Sequence, residues 1–259
     1  MQTWILLVRR ARAQAGLLAT VCIVAFVLTA ALAGSSGYLA IAGTDSVRAA
    51  LLTADPQAAA LRIQGSLATD PDAQDSSVVG IVEKLFDGIP VSAHRAARHY
   101  PRDVRLADTI ASASPDRVIL AADADLAAHA TLTAGHWPDA TAAVPADQPA
   151  PGALQADAAS ALGVSVGDEL VVGGEDHSRL VTVVATWEPT DPRDPLWFGD
   201  PTVATGRIQD AGNGESGFGP LVVAEANLSE LGSAPLVTWT IVPDASRVTS
   251  GELSDTGAA

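Results

Sequence analysis

The chain has 259 residues and a formal charge of −15; three arginines and no acid lie in its first 44 residues, which leaves the rest at −18. An acidic surface of that size excludes nucleic acid as a partner, because phosphates are repelled, and argues against flat adhesion to anionic lipid headgroups. Hydrophobic residues make up 48% of the chain, enough for a core, and Cys22 is the only cysteine, so no intrachain disulfide staples it.

Arg9, Arg10 and Arg12 mark residues 1–12 as a basic N-terminus. Residues 13–44 carry no charge at all. About 20 apolar residues at ~1.5 Å each make a helix of ~30 Å, the thickness of bilayer hydrocarbon. The first acid is Asp45. This asymmetry predicts a plasma-membrane helix with the N-terminus cytoplasmic and residues 45–259 extracytoplasmic. A cleaved secretory signal is the competing reading, with Ala31-Leu32-Ala33 before Gly34 as the cleavage site. The apolar run is long for such a signal and resumes at Tyr38-Leu39-Ala40-Ile41-Ala42, which favours a retained anchor.

Residues 45–60 read as a helix leaving the membrane, limited by Pro56. The alternation in residues 61–67 predicts a half-buried strand. After a turn at Asp70-Pro71-Asp72, a helix is expected from about Ser77 to Asp87, capped by Asp75 or Ser76, with Val78, Val82, Leu85 and Ile89 on one face. Residues 93–102 are locally basic and read as the solvent face of an edge strand, with a binding patch as the alternative. Residues 118–121 predict a short strand, and 123–130 a helical turn or two. These elements define an α+β subdomain at 45–138, with a β-α-β start.

Prolines at 138, 145, 149 and 151 mark residues 139–152 as a linker and subdomain boundary. Residues 153–243 are β-rich. A short helix from Ala153 to Leu162 stops at Gly163; strands follow at 169–172, 179–187, 221–223 and 237–242, with a hairpin turn at Gly173-Gly174-Glu175-Asp176. Residues 244–259 form a polar tail.

Two stretches resemble the extracytoplasmic domain of FtsX/MacB-type ABC transporter permeases in their actinobacterial form. One is Leu132-Thr133-Ala134-Gly135-His136-Trp137-Pro138. The other is residues 158–172, around Leu162-Gly163-Val164-Ser165-Val166-Gly167-Asp168, followed by a long strand. In the second, Gly163 ends a helix, Val164 and Val166 are expected to point into the core, and Gly167-Asp168 turns into the next strand. The Pro/Asp/Trp loop at 187–197 is similar to loops of the same family. The resemblance spans roughly residues 5–245 and implies a membrane-anchored, non-catalytic permease component. Its implied partners are the lipid bilayer, a separate ATPase subunit and other permease chains. In that family further membrane helices follow the exported domain, so a truncated or split permease is expected.

No phosphate-binding loop, zinc-spaced histidine set or nucleophile elbow appears, and no cofactor or metal is expected. Asp191, Asp194 and Asp200 sit among prolines at turn spacing and lack a calcium-loop pattern. Trp187, Trp197 and Phe198 are the candidate site: either they close an open end of the β-rich part, or they form an exposed anchor for a partner. An anchored or secreted binding module without an ATPase is the alternative function; a hydrolase has little support.

Overall fold

The computed structural model describes residue 49 and residues 53–86, 89–109, 116–174, 176–208, 217–228, 231 and 233–244. The expected membrane segment at 13–44, the basic N-terminus and, beyond Asp244, the rest of the tail expected at 244–259 lie outside them. Among the described residues, no helix is long and apolar enough to cross a membrane.

Residues Leu52–Asp244 form one compact unit of mixed α+β structure, dominated by an 11-stranded sheet. In chain order it contains α1 (Pro56–Ala59), β1 (Leu61–Ser66), α2 (Pro71–Leu85), β2 (Val91–Arg98), β3 (Arg102–Leu106) and β4 (Asp116–Ala122). Then come α3 (Leu126–His129), β5 (Ala130–Gly135), β6 (Ala150–Gln155), α4 (Ala156–Leu162), β7 (Glu169–Gly173) and β8 (Ser178–Pro189). The last elements are α5 (Pro201–Thr205), β9 (Arg207–Ile208), β10 (Gly217–Val222) and β11 (Leu236–Pro243).

The pairings close on themselves. β4 pairs β3, β3 pairs β7, β7 pairs β8, β8 pairs β6, β6 pairs β10, and β10 returns to β4. One apolar cluster draws on all six strands of this ring, through Val104, Val118, Leu154, Leu170, Val183 and Leu221. From β4 the sheet extends through β2 and β11 to β1 at its edge. Strands from before and after residues 139–152 thus interleave in one sheet, with β11 between β1 and β2. The boundary expected at that proline-rich segment does not coincide with a division of the sheet, because long-range strand pairing overrides a local change of composition.

Three local expectations are corrected. α2 starts at Pro71, not near Ser77: Asp70 accepts a hydrogen bond from the Ala73 N–H at 3.0 Å, and Pro71 takes the first helical turn, where its missing N–H costs nothing. Asp75, expected as a cap, instead accepts from the Trp239 indole at 2.8 Å and ties α2 to β11. Val82 is buried, but Leu85 is 63% exposed. Second, β2 is an interior strand, and its arginines are paired rather than free: Arg95 holds Glu225 and Arg98 holds Asp200. Third, residues 153–155 finish β6 before α4 begins.

The turn at 163–168 forms as expected, except that Val166 is exposed while Val164 is buried. Gly163 ends α4 at φ 67°. Asp168 accepts from the Ser165 N–H at 2.8 Å, and the Gly167 N–H donates to the Val183 carbonyl at 2.8 Å.

Candidate functional site

The strands expose a second apolar face opposite the ring's interior, and residues 190–206 lie across it. Short acidic turns shape this strap. Asp191 accepts from the Arg193 N–H at 2.8 Å, Asp194 from the Leu196 N–H at 2.9 Å, and Asp200 from the Thr202 N–H at 2.9 Å. Each aspartate thus closes a turn, the role its spacing predicts. The Trp197 indole donates to the Asp191 carbonyl at 3.0 Å, which folds the strap back on itself.

Beneath the strap is a cleft with about 650 Å³ of space, counting its open mouth. Its floor follows from strand register. Arg62, Thr240 and His94 align across β1, β11 and β2, and Thr238 lies beside Ala96 in a parallel row. Alternate residues of a strand share a face, so His94, Ala96 and Arg98 all point the same way. Ala96 and Ala121 keep the floor low. Trp187, Leu196, Trp197 and Val222 line the apolar side, and Phe198 stands at the mouth with the Arg62 guanidinium 5.3 Å above its ring.

Trp187 and Trp197 are therefore not an exposed anchor. Trp187 is fully buried and Trp197 is 8% exposed. Their rings lie 6.5 Å apart within the second apolar cluster, and the Trp187 indole donates to the Ala153 carbonyl at 3.2 Å. Only Phe198 of the three reaches the cleft mouth half-buried. The two tryptophans pack the strap against the outer wall of the ring.

The sequence reading missed Arg62, His94, Arg98 and Asp123. One signal was available: the spacing of His94, Ala96 and Arg98 in a strand puts both polar groups on one face. His94 Nε2 lies 2.9 Å from the Asp123 carboxylate, and both side chains are over nine-tenths buried. His129 and Trp197 meet the His94 ring edge-on, at 5.8 and 6.2 Å. Among the described residues, no hydroxyl or thiol hydrogen-bonds His94, and no group of three His, Cys, Asp or Glu side chains is placed to hold a metal ion.

Burial opposes a charge on His94, but the hydrogen bond and charge of Asp123, with Asp125 and Asp194 beyond, outweigh it and raise its pKa. His99 goes the other way: burial lowers its pKa and Arg102 adds to the effect, against the hydrogen bond to the Leu228 carbonyl. The signs give two separate windows around 6.5. A raised histidine pKa contributes stability that is complete below 6.5 and lost as pH rises through the folded value. A lowered one contributes stability that is complete above 6.5 and lost as pH falls. Stability of the folded body is therefore expected to pass through a maximum near pH 6.5. Urea midpoints measured across this range check it: His94→Gln should flatten only the alkaline side, and an unchanged alkaline slope would exclude His94 as its cause.

The chain matches no protein-family model, and no curated protein matches it in sequence. Among solved structures it is similar to a domain of a putative permease protein from Porphyromonas gingivalis. That match has 14% identity and a TM-score of 0.38, and it covers 78% of this chain and 83% of that one.

Proposed function

We propose that this chain is a membrane-anchored, non-catalytic component of an ABC transporter permease of the FtsX/MacB type, with residues 45–259 extracytoplasmic. It couples a separate cytoplasmic ATPase to events outside the membrane. One observation carries the reading. The two segments that resemble the family are about 20 residues apart in sequence, yet they meet end to end along one edge of β8. The first supplies β5, whose Gly135 pairs with Ala185, and its His136 N–H donates to the Val184 carbonyl. The second supplies the turn that bonds Val183 from Gly167, and then β7, which pairs with β8 up to Thr182. The resemblance thus covers one contiguous scaffold rather than two unrelated short strings.

Protease protection tests the topology. In cells producing the full chain with a tag ahead of Met1 and an epitope in the exposed turn at Gly174, protease added outside should remove the epitope and spare the tag. Affinity capture through the tag should recover a nucleotide-binding ATPase subunit. An epitope protected until the cells are permeabilised would overturn the proposal. So would release of the body into the medium without the tag, which would favour the secreted binding module.

A further inference from the structure

We propose that the cleft under the strap binds a small organic carboxylate, its anionic group held by Arg62 and its apolar body laid against Trp197 and Val222. The argument starts from charge. The chain has 30 acidic and 15 basic residues. Arg95, Arg98 and Arg117 are ion-paired, while Arg102 and Arg105 turn to a serine hydroxyl and to backbone carbonyls. Arg62 is half-buried and lines the cleft, and among the described residues no carboxylate lies within ion-pair distance of it. The nearest acid along the rim, Asp200, is already held by Arg98. Of Arg62, Arg98 and Asp200, the two cations outnumber the one acid. Burial and the neighbouring Arg98 both act against the Arg62 charge, more than Asp200 supports it. An anion bound there removes the imbalance.

The guanidinium is also positioned. Phe198 adopts φ 50° and ψ 33°, a left-handed conformation uncommon for a bulky side chain. Gly199 follows at φ 67°. This backbone turns the Phe198 ring to face Arg62. With its amide oxygen turned toward Arg62, Gln64 accepts from Nε and Nη2 at 3.2 Å. One face of the guanidinium is stacked and one edge is held, and the remaining N–H groups are left for a planar bidentate acceptor. Backbone strain of this kind concentrates at ligand clamps.

The rest of the cleft sets the ligand's body. The floor is alanine and threonine, and the walls are tryptophan, leucine and valine. At the far end Asp123 is occupied by His94, so no free carboxylate is offered to a cation. An apolar acid with a ring or a short branched chain satisfies both ends; a cation or a large polar ligand satisfies neither.

The test uses the full chain in neutral phosphatidylcholine nanodiscs and calorimetric titration with phenylacetate, phenylacetamide and phenethylamine. Phenylacetate should bind most tightly. Arg62→Met keeps the stem over Phe198 and should weaken phenylacetate at least about tenfold, the loss of one charge-assisted bidentate contact, while phenylacetamide changes less than about twofold. Ala96→Phe fills the floor without touching Arg62 and should abolish binding of both; it also serves if Arg62→Met fails to fold. No phenylacetate binding by the unaltered chain overturns the proposal. So does equal binding of the amide or the amine, or phenylacetate affinity unchanged in either variant.

Discussion

Trp187→Ala is expected to destabilise the folded body by roughly 3–5 kcal/mol, the range for removing a fully buried large aromatic. The side chain is completely enclosed, and its neighbours decide the size of the effect. It shares the second apolar cluster with Ala121, Ala130, Ala153 and Ala185 as well as Leu126, Leu196 and Trp197. The strand-borne alanines are fixed by sheet pairing and too short to fill the space left behind. The Ala153 carbonyl also loses its indole donor at a point where the β6–β8 register is already irregular. Trp187→Phe separates the two contributions, since it keeps most of the packing and removes only the donor. Trp197→Ala, in the same cluster, should lower the urea midpoint as well. A loss below about 1 kcal/mol for Trp187→Ala at unchanged m-value would mean that the strap is not held by this cluster.

Gly135→Ala should be nearly as severe, at roughly 3–5 kcal/mol for a single methyl group. Gly135 has φ 80°, and a left-handed L-residue by itself costs about 1–2 kcal/mol. The larger part is steric. An added Cβ would sit far inside contact with the Val184 carbonyl oxygen and 2.9 Å from the Ala185 Cα. β8 cannot retreat, because β6 pairs it along its other edge. Gly163→Ala is the control. That residue has φ 67° but no atom within 4 Å of an added Cβ, so only the conformational cost of about 1–2 kcal/mol should appear. Equal losses in the two variants, measured by denaturant unfolding, would show that the β5–β8 junction yields and that strain alone acts.

Patterns short enough to be read from neighbouring residues were legible. The alternation in β1, the β-branched run of β8 and the glycines at 163 and 173 all placed their elements close to where they lie. What was not legible depends on partners far away in sequence. Asp75 looks like a helix cap until Trp239, 164 residues on, is known to need an acceptor. The arginines of β2 look solvated until β11 and β4 close on either side. The aromatic cluster was found, but its burial was not, because the residues packed with it come from strands and a strap far apart in sequence. Arg62 gave no signal at all. Its place over the Phe198 ring at the cleft is made only by the folded arrangement.

The placement of β11 beside β1 has a mechanical consequence. Leu61 pairs with Ile241, so the polypeptide enters and leaves the body on adjoining strands at the same end. A pull on one of these ends, or on both together, swings the body as a rigid lever about a single pivot, and its interior bears no tension. A pull that parts the two ends unzips six residue pairs one at a time, starting from Leu61 and Ile241, rather than shearing them all at once. A load that parts the two ends must first lift α1, whose Ala59 is buried, before it reaches β1.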